Sequence, residues 1–145
     1  MVSFARIVKT MGDDLIAAFN RAMLVSGASN YACNYNLSCD GTDACVRTDT
    51  FIPSGACIGE LYGEPRYIWD MTHSEYVFID EDMVVDVSAQ SPRQVLSFLR
   101  EDNQSDQHVN AEIIVQETSE ELHFYVFSTR PIFPGEEIVY RIHMR

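Results

Sequence analysis

Residues 124–142 of this 145-residue chain read FYVFSTRPIFPGEEIVYRI. Two apolar runs, rich in aromatic and β-branched residues, flank the turn sequence PGEE at 134–137, a composition typical of strands that are joined through a turn. The preceding residues 110–123 read NAEIIVQETSEELH and add another apolar run before a polar turn at 118–121. The C-terminal third therefore predicts a β-hairpin and one final strand.

Further upstream, short apolar runs alternate with turn residues and predict more strands. The candidate strands are DACVRT at 43–48, ACIGELYG at 56–63 and two strands within 74–88 that flank a tight turn at Glu81-Asp82. Apolar residues recur at three- and four-residue steps over 4–25, and a shorter apolar face lies within PRQVLSFLRE at 92–101, so both segments predict helices. We expect a β-rich domain at 31–145 behind an N-terminal helical extension at 1–30.

Composition limits the classes of partner. Apolar residues make up 46% of the chain and the net charge is −12. This acidity disfavours direct contact with nucleic-acid backbones and favours basic partners such as Lys/Arg-rich tails. No apolar run approaches the roughly 18 residues of a membrane span, and the N-terminus lacks a secretory signal, so we expect an intracellular protein with no membrane partner.

The four cysteines, Cys33, Cys39, Cys45 and Cys57, do not form a metal-binding pattern. No C-x2-C pair is present, and the four histidines are scattered along the chain. Structural zinc sites usually bring closely spaced Cys and His ligands together. The sequence therefore predicts free thiols and no metal site.

Four motifs, taken in chain order, resemble the SET domain, the fold of protein-lysine methyltransferases. They are TDTFIPSGACIGELYGE at 48–64, MVVDVS at 83–88, SFLRED with VNAEI at 97–102 and 109–113, and the closing stretch 124–142. The resemblance covers roughly residues 43–142. It implies small curved β-sheets and a C-terminal segment that passes under a loop as a pseudoknot.

The resemblance also implies S-adenosylmethionine on one face and a target lysine that enters a narrow channel from the other. Methyl transfer needs alignment, a deprotonated amine and electrostatic stabilisation. The family's Gly-x-Gly, whose backbone approaches the cofactor, corresponds here to Asp43-Ala44-Cys45. The replaced glycines argue against tight cofactor binding, since a Cβ would obstruct that contact.

The family's Asn-His pair, which contacts the cofactor, corresponds to Arg100-Glu101, while its later Asn is kept as Asn110. The loop between them is longer than in the family. A shifted alignment would instead place Asn103 in the cofactor pocket. Arg100, Glu101 and Asn110 are thus the cofactor-site candidates by position, with Asn103 as the alternative.

The lysine channel differs from the family pattern as well. Leu61 and Ile142 stand at the two positions where the family carries its channel and catalytic tyrosines. Tyr62 and Tyr140 are the remaining candidates, but neighbouring side chains on a strand point to opposite faces, so Tyr62 cannot simply replace a tyrosine at 61. No catalytic residue is therefore assigned firmly.

The segment between the first two motifs corresponds to the family's variable insert, which contacts the substrate peptide. It carries Tyr67, Trp69 and Tyr76. An exposed aromatic cluster is typical of binding surfaces. We take these three residues as the substrate-binding candidates, with packing of the insert as the competing role.

The mismatches favour a catalytically impaired SET-like domain that acts as an interaction module for a basic peptide, such as a histone tail, or for a larger assembly. One alternative is an active, divergent S-adenosylmethionine-dependent protein-lysine methyltransferase in which Tyr62 and Tyr140 rebuild the channel. Another is a small all-β binding or structural protein. The family implies a nuclear location, and residues 4–25 would pack on the domain or form a homodimer contact.

Overall fold

The computed structural model of the protein describes residues 28–40, 45–90, 93–102 and 107–142. Within these ranges the chain is mostly β, as the sequence predicts. The helix predicted over residues 4–25 lies outside the described residues, as does most of the 1–30 extension. The strands are β1 (Leu37–Asp40), β2 (Cys45–Thr48), β3 (Cys57–Leu61), β4 (Glu64–Tyr67), β5 (Tyr76–Phe78), β6 (Met83–Asp86), β7 (Arg100–Glu101), β8 (Ala111–Glu117), β9 (Leu122–Ser128) and β10 (Val139–Arg141).

The strands form a two-stranded sheet of β1 and β2, a central sheet and a smaller three-stranded sheet. The central sheet has the order β3-β9-β8-β10-β7. Its last strand, β10, runs parallel to both neighbours, with Tyr140 opposite Glu101 on β7 and Ala111 on β8. The C-terminal strand β10 thus lies between β7 and β8, two strands that follow one another in the chain. This insertion is the pseudoknot arrangement that the resemblance implies.

Asn110 fixes the position of β10 in the sheet. Its side chain donates from Nδ2 to the carbonyl of Glu137 at 2.8 Å and accepts at Oδ1 from the backbone N–H of Val139 at 2.9 Å. Its own backbone N–H donates to the Val139 carbonyl at 3.0 Å. Asn110 is only 1% exposed. Through its side chain and its backbone, Asn110 therefore binds the main chain at Glu137 and Val139, where the last strand begins.

The hairpin of β8 and β9 follows the period-two pattern of its sequence. On β9, Phe124, Val126 and Ser128 are buried, whereas His123 and Tyr125 are half-buried on the opposite face. The turn closes with the N–H of Thr118 bonded to the carbonyl of Glu121 at 2.9 Å. The predicted hairpin and its turn at 118–121 are therefore confirmed, and the side chains on its buried face enter the core.

The three-stranded sheet has the order β4-β6-β5, and two local features position it. Asp80 Oδ1 accepts the backbone N–H groups of Asp82 and Met83, both at 2.8 Å, which closes the predicted turn between β5 and β6. At the start of β4 the backbone of Gly63 lies so close to Asp86 that an added Cβ would meet the Asp86 carbonyl oxygen at 2.5 Å. Glycine is therefore required where β4 leaves the central sheet.

The helix predicted over residues 92–101 is wrong. The structure has a 3₁₀ helix only at Val95–Phe98, and Leu99 is already extended, with ψ 134°. Arg100 then pairs with Val139 in the central sheet. The apolar face was identified correctly, since Val95, Leu96 and Leu99 are buried. Residues 100–101 pair with β10 and do not continue the helix, because tertiary contacts can outweigh the local helix propensity.

Replacing Asn110 with Ala should destabilise the fold, because it leaves a buried N–H and a buried carbonyl without their partner. Each buried polar group that loses its partner costs roughly 1–3 kcal/mol. Urea denaturation followed by circular dichroism would measure the loss. The matched control is Asn34→Ala, which removes an exposed asparagine that donates to the Cys57 carbonyl at 3.0 Å. A loss for Asn110→Ala no larger than that of the control would contradict the role of this amide.

Candidate functional site

The positions that correspond to the family's lysine channel lie where β3 and β10 face the core. Tyr140 is 2% exposed, and its hydroxyl donates to the backbone carbonyl of Phe78 at 2.9 Å. Leu61 is 1% exposed and Ile142 is 7% exposed. The phenol of Tyr140 thus ties β10 to β5, and the other two positions carry buried aliphatic side chains.

Tyr62 lies on the opposite side of the central sheet from Leu61. Its hydroxyl donates to Glu60 Oε1 at 3.2 Å, and its ring packs on Tyr31 with centroids 5.7 Å apart. Burial first, and then the Glu60 carboxylate, raise the pKa of the Tyr62 phenol above its ordinary value. The structure therefore does not bring the two candidate channel tyrosines, Tyr62 and Tyr140, together.

Two of the cofactor-site candidates lie side by side on β7. Arg100 is half-exposed and contacts Glu137 through Nη2 and Oε1 at 2.6 Å. Glu101 is 7% exposed and lies opposite Tyr140. The second oxygen of Glu137, Oε2, is buried without a hydrogen bond among the described residues. The Arg100 guanidinium, at the first position of the family's Asn-His pair, is thus held in an ion pair within the protein.

The other candidates at the cofactor positions have different placements. The side chain of Asn110 is committed to β10 through both of its polar atoms. Cys45 begins β2 and is 4% exposed. Asn103, Asp43 and Ala44 lie outside the described residues. The structure therefore gives no geometry for the alternative in which Asn103 contacts the cofactor.

The insert carries an exposed pair of stacked aromatic side chains. The rings of Tyr67 and Trp69 stack with centroids 4.8 Å apart and an interplanar angle of 5°. They are 55% and 68% exposed. Tyr76, the third substrate-binding candidate, is buried instead, and its hydroxyl accepts the N–H of Thr72 at 3.0 Å. Its ring is therefore not part of the exposed surface that Tyr67 and Trp69 form.

An acidic cleft of about 620 Å³ adjoins the other end of β4. It lies between the corner where β3 leads to β4 and the tip of the β8–β9 hairpin. The acidic residues that line it are Glu60, Glu64, Glu117, Glu120 and Glu121. Its one histidine, His123, bridges two of them, with Nδ1 at 3.1 Å from Glu60 and Nε2 at 3.5 Å from Glu121.

Sequence reasoning missed this cleft. The glutamates of the cleft come from two segments that are more than fifty residues apart in the chain. They meet because β3 pairs with β9 in a fixed register, with Glu60 opposite Tyr125. The available signal was the local sequence ETSEE at 117–121, which places three carboxylates at one hairpin tip.

Asp86, at the end of β6, is the hydrogen-bonding centre of the insert. Its Oδ1 accepts the Ser88 hydroxyl at 2.6 Å and the Ser88 N–H at 3.0 Å. Its Oδ2 contacts Arg66 Nε and His73 Nε2, each at 3.3 Å. Burial alone would raise the pKa of Asp86, but the Ser88 hydrogen bonds and His73 outweigh it and hold the pKa below its ordinary value.

Replacing Asp86 with Asn should therefore cost stability at neutral pH and change its pH dependence. A carboxyl whose pKa is lowered on folding contributes stability above its unfolded pKa and loses it as the pH falls through the folded value. The gap in unfolding free energy between the parent and Asp86→Asn should then be largest at neutral pH and narrow in acid. Denaturant titrations from pH 7 downward would measure it, with the exposed Asp49→Asn as the control for charge removal. A gap that widens as the pH falls would contradict the assignment.

Among the residues that the structure describes, no three His, Cys, Asp or Glu side chains converge in a way that could hold a metal ion. The cysteines described are free thiols, and burial raises the pKa of Cys33 to about 11. Over the same ranges, no helix is both long and apolar enough to span a membrane.

Comparisons with known proteins agree with the order of motifs in the sequence. A family model described as the SET domain matches residues 43–141. Among solved structures, ATXR5 in complex with mono-methylated histone H3.1 is similar, with a TM-score of 0.50 and 17% identity over 67% of this chain. The ATXR5 SET domain in complex with di-methylated histone H3 is also similar, with a TM-score of 0.50 and 19% identity over 67% of this chain. This chain covers 50% and 51% of those two chains. A search of curated protein sequences found no significant match.

Proposed function

Because the chain belongs to the SET-domain family, we propose that it keeps the family scaffold as a binding module for basic peptides, with impaired methyl-transfer chemistry. The observation that carries this proposal is the surface along β4. An exposed aromatic pair, Tyr67 and Trp69, lies at one end of this strand, and the acidic cleft lies at the other, beginning at Glu64. The scaffold thus presents a surface for cationic side chains.

The two ends of β4 suit different parts of a basic peptide. Arg and Lys side chains pack on exposed Trp and Tyr faces through cation–π contacts and through their methylene stems. Carboxylates around a concave site attract the charged ends of such side chains and speed their encounter with the protein. A four-residue strand is roughly 13 Å long at 3.3 Å per residue, so one extended peptide can contact both ends.

The impaired chemistry rests on the channel positions. Methyl transfer in this family depends on phenol groups that orient the lysine amine. Leu61 and Ile142 offer no such group, and the Tyr140 hydroxyl is bonded to the Phe78 carbonyl. The Tyr62 phenol lies on the other side of the sheet. Among the described residues, these contacts support the loss of the channel phenols and not their replacement by tyrosines at neighbouring positions.

The cofactor positions fit S-adenosylmethionine poorly. The Arg100 guanidinium is engaged by Glu137, and the Asn110 amide is engaged by β10. The buried Oε2 of Glu137 can only accept hydrogen bonds, and its charge would repel the cofactor's carboxylate.

A histone tail is the partner we propose. The two similar ATXR5 structures contain methylated histone H3. Histone tails are rich in Lys and Arg, and the chain's net charge of −12 favours such partners over nucleic acid. A chromatin partner would place the protein in the nucleus.

Trp69 is the only tryptophan of the chain, so its fluorescence reports directly on this surface. Titration with a synthetic Lys/Arg-rich histone H3 tail peptide should shift its emission to the blue, because the peptide covers the indole. The affinity should fall with added salt, as expected for exposed charges. A peptide with every Lys and Arg replaced by Gln should leave the emission unchanged.

Two variants localise the binding. Tyr67→Ala and the double variant Glu120→Gln/Glu121→Gln should each weaken the peptide about tenfold, which corresponds to roughly 1.4 kcal/mol. Phe133→Ala, which removes another exposed aromatic residue far from β4 in sequence, should bind like the parent. Equal binding by all four proteins, or no binding by the parent, would contradict the peptide surface. Transfer of labelled methyl groups to the peptide would contradict the impaired chemistry.

A further inference from the structure

Two exposed aromatic pairs in the described part of the chain differ in how their rings meet. The rings of Tyr67 and Trp69 are parallel, with an interplanar angle of 5° and centroids 4.8 Å apart. The rings of Phe51 and Phe133 are tilted by 52° at 5.3 Å. The parallel pair keeps a flat face open to solvent, since each ring covers only one side of the other and Trp69 is 68% exposed. The tilted pair has no comparable common plane.

The spacing of the parallel pair excludes a cation from between its rings. Aromatic pairs in contact have centroids roughly 4.5–7 Å apart, and the pair of Tyr67 and Trp69 lies near the short end of that range. Cages that recognise methylated lysine instead enclose the cation with several aromatic faces. Among the described residues, neither ring contacts a third aromatic ring. The pair therefore offers a flat surface and not an enclosure.

Acidic residues lie next to the segment that holds this pair. The N–H of Ile68, which separates the pair in sequence, donates to the Asp82 carbonyl at 2.8 Å, so the turn at 80–82 lies against the segment. This turn has three acidic residues in succession. Asp70, which directly follows Trp69, is exposed. A cation that lies on the rings would therefore be attracted by nearby carboxylates.

The protein's own neighbouring guanidinium is held away from the rings. Arg66 precedes Tyr67 on β4, and side chains alternate along a strand, so the two point to opposite faces. The Arg66 guanidinium contacts Glu64 Oε2 and Asp86 Oδ2, each at 3.3 Å. Arg66 therefore does not occupy the aromatic face, which stays accessible to a cation from a partner.

We propose that the face of Tyr67 and Trp69 selects an arginine side chain of the bound peptide over lysine and over methylated lysine. This inference rests on the proposed function, because it assigns one residue of the basic peptide to one end of β4. A guanidinium is flat and weakly hydrated, so it can lie on an aromatic face while its N–H groups still reach carboxylates or water.

Lysine fits this face less well in either form. Its ammonium is a compact, strongly hydrated point charge, so it loses water without matching the flat surface of the rings. Trimethyl-lysine gains most where aromatic faces enclose it, and the contact between Tyr67 and Trp69 leaves no such enclosure. The selectivity thus follows from the shape of the stacked pair and not from charge alone.

Three forms of one dye-labelled peptide test this selectivity by fluorescence anisotropy. The histone H3 tail peptide is made with all its basic residues as arginine, as lysine or as trimethyl-lysine. The parent protein should bind the arginine form about threefold more tightly than the lysine form, which is the scale of an exposed cation–π contact. The trimethyl-lysine form should bind no more tightly than the lysine form.

Two variants locate the selectivity. Trp69→Leu keeps an apolar side chain at an exposed position, and its cooperative unfolding in urea is measured first. It should bind the arginine and lysine forms about equally. Phe133→Leu, from the tilted aromatic pair, should keep the preference of the parent. A preference for arginine that survives Trp69→Leu would place the selectivity in the acidic cleft and overturn the proposal.

The peptide series also separates this inference from the proposed function. Equal binding of the arginine and lysine forms by the parent, or tightest binding of the trimethyl-lysine form, would overturn the arginine selectivity while leaving a basic-peptide module in place. Failure of the parent to bind any of the three forms would contradict the proposed function, and this inference with it.

Discussion

The central sheet forms only when β10 inserts between β7 and β8. These two strands are separated by only nine residues in the chain, yet they contact each other only through β10. The Asn110 side chain bonds to the Glu137 carbonyl and to the Val139 N–H, where β10 begins. That insertion places Arg100 and Glu101 on β7 directly opposite Val139 and Tyr140 on β10.

Several polar side chains of this fold form hydrogen bonds and ion pairs within the protein. The Tyr140 hydroxyl joins β10 to the carbonyl of Phe78, the Arg100 guanidinium joins β7 to Glu137, and Asp86 gathers Arg66, His73 and Ser88 within the insert. Hydrogen bonds of this kind stabilise the fold but leave few donors for a ligand. The stacked aromatic pair and the acidic cleft remain open to solvent.

Much of this fold could be predicted because local pattern and tertiary environment agree. The alternation of apolar and polar residues over 111–117 and 122–128 corresponds to the two faces of one hairpin. The side chains of Leu61 and Tyr62 point to opposite sides of the sheet because side chains alternate along a strand. The helix at 92–101 was wrong because its apolar face is equally compatible with a 3₁₀ turn followed by a strand, and β10 decides between them. Only the resemblance, not the residue pattern, pointed to the pseudoknot. The acidic cleft could not be predicted because it exists only once the register of β3 and β9 is set.

We propose that the family scaffold persists while the residues at its cofactor positions stabilise the fold. Calorimetric titration of the folded protein with S-adenosylmethionine and S-adenosylhomocysteine tests this proposal. No binding heat is expected at millimolar ligand, from protein whose cooperative unfolding is measured in the same buffer. Binding at micromolar strength would contradict the proposal and would mean that a working pocket exists around Arg100 and Glu101.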